Sequence, residues 1–267
     1  MKKIAVIGYG ALGKIFVDAM KRILPDVYEV EGIFVRNRET VEKSLEELGI
    51  RVYQSFDELL CADVEYVVEI ASVQAVADYG VRILESGKNL IVTSVGALAD
   101  EKLWNDLEDM AEKTDRKVLI VSGAIGGFDL LRTFQLMGNN RARIENYKAP
   151  ESLKGAPYLE QNPLSETERS RIFTGNAREA IAGFPKNVNV AVASALASVG
   201  TEAMEVEITS CPGEKNNIHR ITTENDLGKA VIEIMSRPDP ENPKSSIMTA
   251  WSVVALLENL ASRIQFF

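Results

Sequence analysis

Apolar and polar positions along the chain follow two successive rhythms. Over the first half, short apolar runs are separated by stretches whose apolar residues recur every three or four positions, as when buried strands alternate with helices that bury one face. The runs are Ile4 to Ile7, Tyr28 to Val35, Ile50 to Tyr53, Tyr66 to Ala71, Asn89 to Val92 and Lys117 to Val121. Between them, helical character covers Lys14 to Met20, Glu39 to Leu48, Ser55 to Leu60, Val73 to Glu85 and Asp100 to Lys113, with Gly49 and Gly87 as stops. Strict alternation of strand and helix predicts an α/β domain.

Near residue 123 the rhythm changes. Arg141 to Lys148, Arg171 to Gly175, Glu202 to Thr209, Asn217 to Ile221 and Val231 to Met235 read as strands, most with the two-residue alternation of a half-buried sheet. Only short helices interrupt them, at Ala177 to Ala180 and at the small-residue stretch Val190 to Ser198, and Ala149 to Ser165 is rich in Pro, Gly and Asn. A rigid connector, Pro238 to Pro243, precedes a strongly apolar helix from Ser245 to Leu260 that must be buried, either on the first domain or in a subunit interface. The expected organisation is a domain over 1–122, a second over 123–243, and a helix over 244–262 that returns to the first.

The first strand ends in Gly8-Tyr9-Gly10-Ala11-Leu12-Gly13 and runs directly into the first helix. In that context the first glycine allows the chain to reverse, the second lets backbone approach a pyrophosphate, and the third lets helix pack on strand. The helix N-terminus offers N–H groups and positive dipole to the anion, so Gly8, Gly10, Ala11, Leu12 and Gly13 are candidate dinucleotide contacts in a Rossmann-type domain. At the end of the second strand, where a carboxylate selects a free ribose 2′-hydroxyl, the chain has Arg36-Asn37-Arg38. Arg36 and Asn37 there favour NADP over NAD, because a guanidinium matches a 2′-phosphate. Ala71, Ser72, Thr93 and Ser94 stand at the carboxyl ends of later strands, where open α/β sheets bind ligands. Ser122 to Gly127 carries three glycines, which suit close approach to a ligand or a domain-crossing hinge.

Charge and composition narrow the partners. With 39 acidic against 30 basic residues, the net charge is −9, which disfavours nucleic acid and anionic membranes. No apolar run is long enough to span a bilayer, and Gly8, Gly10, Lys14 and Asp18 break the start too early for a secretory signal. Cys61 and Cys211 form no metal-binding cluster, so a reducing cytoplasm and no structural metal are expected. His219 is the single histidine, hence the one imidazole able to exchange protons near neutral pH, and no hydrolase motif competes with it. Hydride transfer to or from nicotinamide, assisted by one acid/base, requires the least additional machinery.

The Gly8 turn, Glu69-Ile70-Ala71-Ser72, Ser122 to Gly127, Phe184-Pro185-Lys186-Asn187-Val188-Asn189-Val190, Asn217-Ile218-His219 and Glu241 to Ser246 resemble the L-aspartate dehydrogenase family in order and spacing. The resemblance covers essentially the whole chain. It implies a homodimer, a C-terminal α+β domain with a mostly antiparallel sheet, and NADP- or NAD-dependent interconversion of L-aspartate with iminoaspartate, or oxaloacetate plus ammonia. It also makes His219 the catalytic residue, and it matches Ala124 and Asn189 to cofactor-contacting positions. Asn187 and Lys186 become candidate substrate contacts, and Lys148, Lys186, Arg220 and Lys244 are the cations available to the substrate carboxylates. Lys148-Ala149-Pro150 and Cys211-Pro212 depart from the family's Lys-Pro-Pro and Asp-Pro. Another small oxo acid or imine as substrate, or a non-catalytic NADP(H)-binding role, is the alternative.

Overall fold

A computed structural model describes residues 1–185, 187–237 and 246–266. The connector expected over Pro238 to Pro243, together with Lys186 and Lys244, lies outside the described residues. The chain divides into two compact units, residues 1–121 with 249–266, and residues 122–248.

The first unit alternates strand and helix: β1 (Lys2–Ile7), α1 (Ala11–Ile23), β2 (Tyr28–Phe34), α2 (Glu42–Glu47), β3 (Arg51–Val52), α3 (Phe56–Cys61), β4 (Tyr66–Glu69), α4 (Val73–Glu85), β5 (Asn89–Val92), α5 (Glu101–Thr114) and β6 (Val118–Ile120). Its six strands pair in the order β3-β2-β1-β4-β5-β6, every neighbouring pair parallel. β1 and β4 lie side by side where the strand order reverses, the position at which ligands bind in such sheets. The core joins Ile4, Val6, Phe16, Met20, Ile33, Val68 and Ile91 to Ala250, Val253, Val254 and Leu257 of the last helix. The Tyr28 hydroxyl donates to the Leu257 carbonyl at 3.0 Å.

The second unit contains α6 (Phe128–Met137), β7 (Arg141–Lys148), α7 (Pro150–Leu153), β8 (Ser170–Asn176), α8 (Ala177–Gly183), α9 (Asn189–Leu196), β9 (Glu205–Ser210), β10 (Asn217–Asn225) and β11 (Gly228–Ser236). The sheet order is β11-β10-β7-β9-β8, antiparallel except for the β7–β9 pair. α6 does not follow from the glycine-rich sequence before it; Gly127 takes up a left-handed conformation at φ 76° to start this helix, and Gly138 stops it. The last helix, α10 (Met248–Ala261), begins later than the apolar pattern from Ser245 suggests. The Ser246 hydroxyl accepts the Met248 N–H at 3.3 Å. Trp251 remains 38% exposed, with the Arg22 guanidinium 5.6 Å from its ring centroid.

Gly8 has φ 104°, and a Cβ there would stand 2.8 Å from both the Ala71 Cβ and the Ile70 carbonyl oxygen. Gly8→Ala is therefore expected to lower stability by roughly 2–4 kcal/mol, from backbone strain and overpacking together, as read by urea denaturation.

Candidate active site

The turn after β1 is built for an anion. The Gly8 N–H is spent on the Phe34 carbonyl at 2.9 Å, which ties the turn to the end of β2. A Cβ at Gly13 would stand 2.7 Å from the Gly8 carbonyl oxygen, so helix α1 packs directly on the turn. At Gly10, by contrast, no heavy atom lies within 4 Å of the Cβ position. α1 has no side-chain cap, and among the described residues no acceptor takes the N–H groups of Ala11, Leu12 and Gly13. Open space beside a row of free helix-terminal donors fits the pyrophosphate of a dinucleotide. At the end of β2, Arg36 and Asn37 are exposed. Arg38 pairs with Glu42 at 3.1 Å, whereas Arg36 has no ion-pair partner among the described residues.

Beside the turn, the carboxyl ends of β4 and β5 meet on one buried carboxylate. Glu69 ends a strand that is buried at every position and is itself 0% exposed. Its Oε1 accepts the N–H groups of Ala71 and Ser72 and the Ser94 hydroxyl, each at 2.8 Å. Its Oε2 accepts the N–H groups of Ser94 at 3.0 Å and Thr93 at 3.3 Å. Burial pushes the Glu69 carboxyl up from its ordinary value, and the donors around it oppose that shift. Ser72 also caps α4, its hydroxyl accepting the Ala75 N–H at 3.2 Å. The backbone donors of these four sequence-predicted cofactor residues are thus turned onto Glu69.

In the second unit the chemistry lies on one face of the sheet. Alternation along β7 turns Ala142, Ile144, Asn146 and Lys148 inward, and along β10 it turns Asn217, His219 and Ile221 inward. Pairing then sets Asn146 opposite His219, and Ser210 and Ser236 opposite Lys148 and Asn217 respectively. A buried polar row, Ser210, Lys148, Asn217, Ser236, crosses four strands. Ser236 meets the Ser246 hydroxyl at 3.3 Å, whereas the Ser210 hydroxyl has no partner among the described residues.

Within this face the protonation of His219 is set by its neighbours. His219 is 2% exposed, and its Nδ1 lies 2.7 Å from the Asn146 Oδ1. The Asn146 Nδ2 donates to the Glu207 carbonyl at 3.3 Å, which fixes the amide so that its oxygen faces the ring. His219 Nδ1 therefore carries the hydrogen and donates it, leaving the Nε2 lone pair available. Burial, and then the nearby Lys148 charge, hold the imidazole well below its ordinary value. Lys148 is 3% exposed, its Nζ 3.5 Å from the Asn217 Oδ1, and among the described residues no carboxylate reaches it. Burial pulls its ammonium down to about 8.

Several other candidate residues fall elsewhere. Arg220 follows His219 in sequence, so alternation turns it to the opposite face of the sheet, where it approaches Glu233 at 3.9 Å. The Asn187 amide donates to the Ser152 carbonyl at 2.6 Å, and Asn189 is the first residue of α9. Neither caps that helix; its cap is Val188, without a side-chain bond. Ala124 is buried in the loop before α6. Asn146, Asn217, Ser210 and Glu69 went unrecognised as site residues. Their signal is the phase of the pattern: each is a polar side chain at a position where the strand's periodicity calls for an apolar one. Among the described residues no cluster of side chains could hold a metal ion, and no helix is long and apolar enough to cross a membrane.

An anion-binding turn on a parallel sheet, and a buried acid–base face on a second sheet, define the class: a nicotinamide-dinucleotide-dependent dehydrogenase. Residues 8–121 match the family model described as homoserine dehydrogenase, NAD binding domain, and residues 129–260 match that of aspartate dehydrogenase, C-terminal. The chain belongs to the L-aspartate dehydrogenase family. It is 35% identical to the L-aspartate dehydrogenase of Methanospirillum hungatei over 98% of each chain, and 35% identical to that of Methanococcus maripaludis over 99% of each. The crystal structure of aspartate dehydrogenase from Thermotoga maritima superposes with a TM-score of 0.78 at 29% identity, covering 100% of both chains.

Because His219 is the sole imidazole, ¹⁵N-histidine NMR reads it without assignment. The spectrum is expected to show a neutral Nδ1–H ring at pH 7 that protonates below 6.5, and Asn146→Asp is expected to move that titration upward. Lys148→Met, which removes a buried charge lacking a counter-ion among the described residues, is expected to stabilise the protein by about 1–3 kcal/mol at pH 7. The folded state sheds the Lys148 proton near pH 8 while the unfolded chain keeps it to about 10.5, so the wild-type penalty is relieved as pH rises between them. The stability difference between Lys148→Met and wild type should therefore shrink over that window in denaturation curves.

Proposed function

We propose that the protein interconverts L-aspartate with iminoaspartate, and thereby with oxaloacetate plus ammonia. One observation carries this reading beyond the family likeness: on the face that bears His219, the buried Lys148 charge has no counter-ion among the described residues. An anionic substrate supplies the missing charge, and the Ser210 hydroxyl, unpartnered among the described residues, offers a further donor on the same row. Of the cations considered for the substrate carboxylates, Lys148 is the one this arrangement supports; Arg220 lies on the other face, and Lys186 and Lys244 are outside the described residues.

The dinucleotide, bound over the Gly8 to Gly13 turn, supplies the hydride donor or acceptor. Lys148 holds a substrate carboxylate. As ammonia adds to the oxaloacetate carbonyl, His219 takes a proton from the incoming nitrogen at Nε2 and passes it to the carbonyl oxygen, giving the carbinolamine; it then takes a second proton from that nitrogen and delivers it to the hydroxyl, which leaves as water to give the imine. In the opposite direction Nε2 takes the proton of the water that attacks the imine. Asn146 keeps the ring in the tautomer that leaves Nε2 free. Arg36, exposed and without an ion-pair partner among the described residues, supports NADP as the preferred dinucleotide, with Asn37 beside it. Ala71, Ser72, Thr93, Ser94, Ala124 and Asn189 complete the proposed cofactor contacts, and Asn187 and Lys186 the substrate contacts. In domain terms, the first unit binds the dinucleotide and the second binds substrate. The same reading makes the protein cytoplasmic and homodimeric, supported by its unpaired cysteines and the family likeness.

The test follows oxidation of NADPH and of NADH with oxaloacetate plus ammonia, alongside a panel of other 2-oxo acids. Oxaloacetate is expected to be preferred, and His219→Ala to lose at least a hundredfold in kcat while retaining dinucleotide binding. Preference for a different oxo acid would replace the substrate. Binding of NADPH without turnover of any would favour a non-catalytic role. Arg36→Ala should weaken NADPH about tenfold with little effect on NADH. Succinate, a dicarboxylate that cannot react, is expected to bind more weakly as pH rises through about 8, where Lys148 loses its charge, and Lys148→Met should abolish that dependence.

A further inference from the structure

Glu69 touches neither the open space beside Gly10 nor any free helix donor, yet it is the point at which the surrounding backbone is joined. Each of its two oxygens accepts N–H groups, Oε1 from the segment after β4 and Oε2 from the segment after β5. The Ser94 hydroxyl makes a fifth contact, to Oε1. The segment after β4 is also the one on which the glycine turn rests, since the Ala71 Cβ and Ile70 carbonyl oxygen fill the position a Gly8 side chain would take. The chain of contact is therefore continuous: Glu69 fixes the backbone at Ala71, Ala71 sets the position of Gly8, and Gly8 carries the Gly13 contact that seats α1.

We propose that Glu69 is a positioning residue of the dinucleotide site, a buried acceptor that holds the segments after β4 and β5 together and, through Ala71, sets the geometry of the Gly8 to Gly13 turn. A carboxylate suits this place because every contact to it is a donor, so an acceptor-only side chain satisfies all of them at once. Glutamine has the same size but brings an NH₂ group into a shell that holds only donors, and it must turn at least two of them away. The proposal rests on the reading that this turn binds the dinucleotide, and the experiment separates the two.

Calorimetry with NADPH and NADH on the intact protein, without substrate, tests the underlying reading first: absence of binding by the wild type overturns it, and the assignment of Glu69 with it. Given wild-type binding, Glu69→Gln is expected to raise the Kd for the dinucleotide at least tenfold. KM for oxaloacetate, measured at saturating dinucleotide, should stay within about twofold of wild type. Hydrogen exchange at the amides of Ala71, Ser72, Thr93 and Ser94 is expected to accelerate, and exchange in the second unit to remain unchanged. An unaltered Kd, or an equal rise in Kd and in the oxaloacetate KM, overturns the proposal. Should Glu69→Gln fail to fold, Glu69→Asp decides, since it keeps the acceptor and withdraws it by one methylene. A severalfold weaker dinucleotide with unchanged oxaloacetate KM supports the assignment, and unchanged dinucleotide affinity refutes it.

Discussion

Strands β1 and β4 run out side by side, and at Gly8 and Ala71 their continuations come so close that no side chain fits between them. The architecture of the first unit depends on this contact. It forces the chain after β1 into the left-handed turn available to glycine, and that turn aims α1 back along the sheet. A helix so aimed leaves its first N–H groups unpaired beside open space, and that combination binds anions. Glu69 belongs to the same contact, because the backbone that presses on Gly8 is the backbone its carboxylate holds.

The second unit reaches its chemistry by another route. A sheet with one buried face ordinarily lines it with apolar side chains, as Ile144, Val206, Ile208 and Ile221 do here. Toward one end of β7 and β10 the inward positions turn polar in adjacent strands, and pairing converts residues distant in sequence into neighbours. Asn146 and His219, 73 residues apart, exchange a hydrogen bond of 2.7 Å because the two strands pair in that register. Lys148 carries the cost of the arrangement, a buried ammonium with no opposing charge among the described residues, and the proposed anionic substrate would offset that cost.

The sequence shows much of the first unit because its signals are local. Alternating runs, stops at Gly49 and Gly87, and a glycine turn between strand and helix each require only a few consecutive residues, and together they fix a parallel order. His219 and Lys148 are visible as candidates for the same reason, one as the sole imidazole and the other within a motif. What sets their behaviour is not local. The tautomer of His219 depends on Asn146 and the Glu207 carbonyl, and the proposal of Lys148 rather than Arg220 for the substrate carboxylate rests on which face each occupies. Glu69 stands in the sequence as the polar end of an apolar strand, but the donors that make it a junction arrive from β5, 24 and 25 residues later. α6 was missed because the glycines before it read as loop, although Gly127 serves to begin a helix.

The bond from His219 Nδ1 to Asn146 has a consequence for proton traffic. An imidazole with both nitrogens free can relay, taking a proton on one side and passing it out from the other. Here one nitrogen is closed by an amide that is itself anchored to the backbone, so the ring is a store with a single door: whatever Nε2 takes in must leave through Nε2. In the role proposed for His219, loading and unloading would then retrace one path, a symmetry that suits a reaction run in either direction.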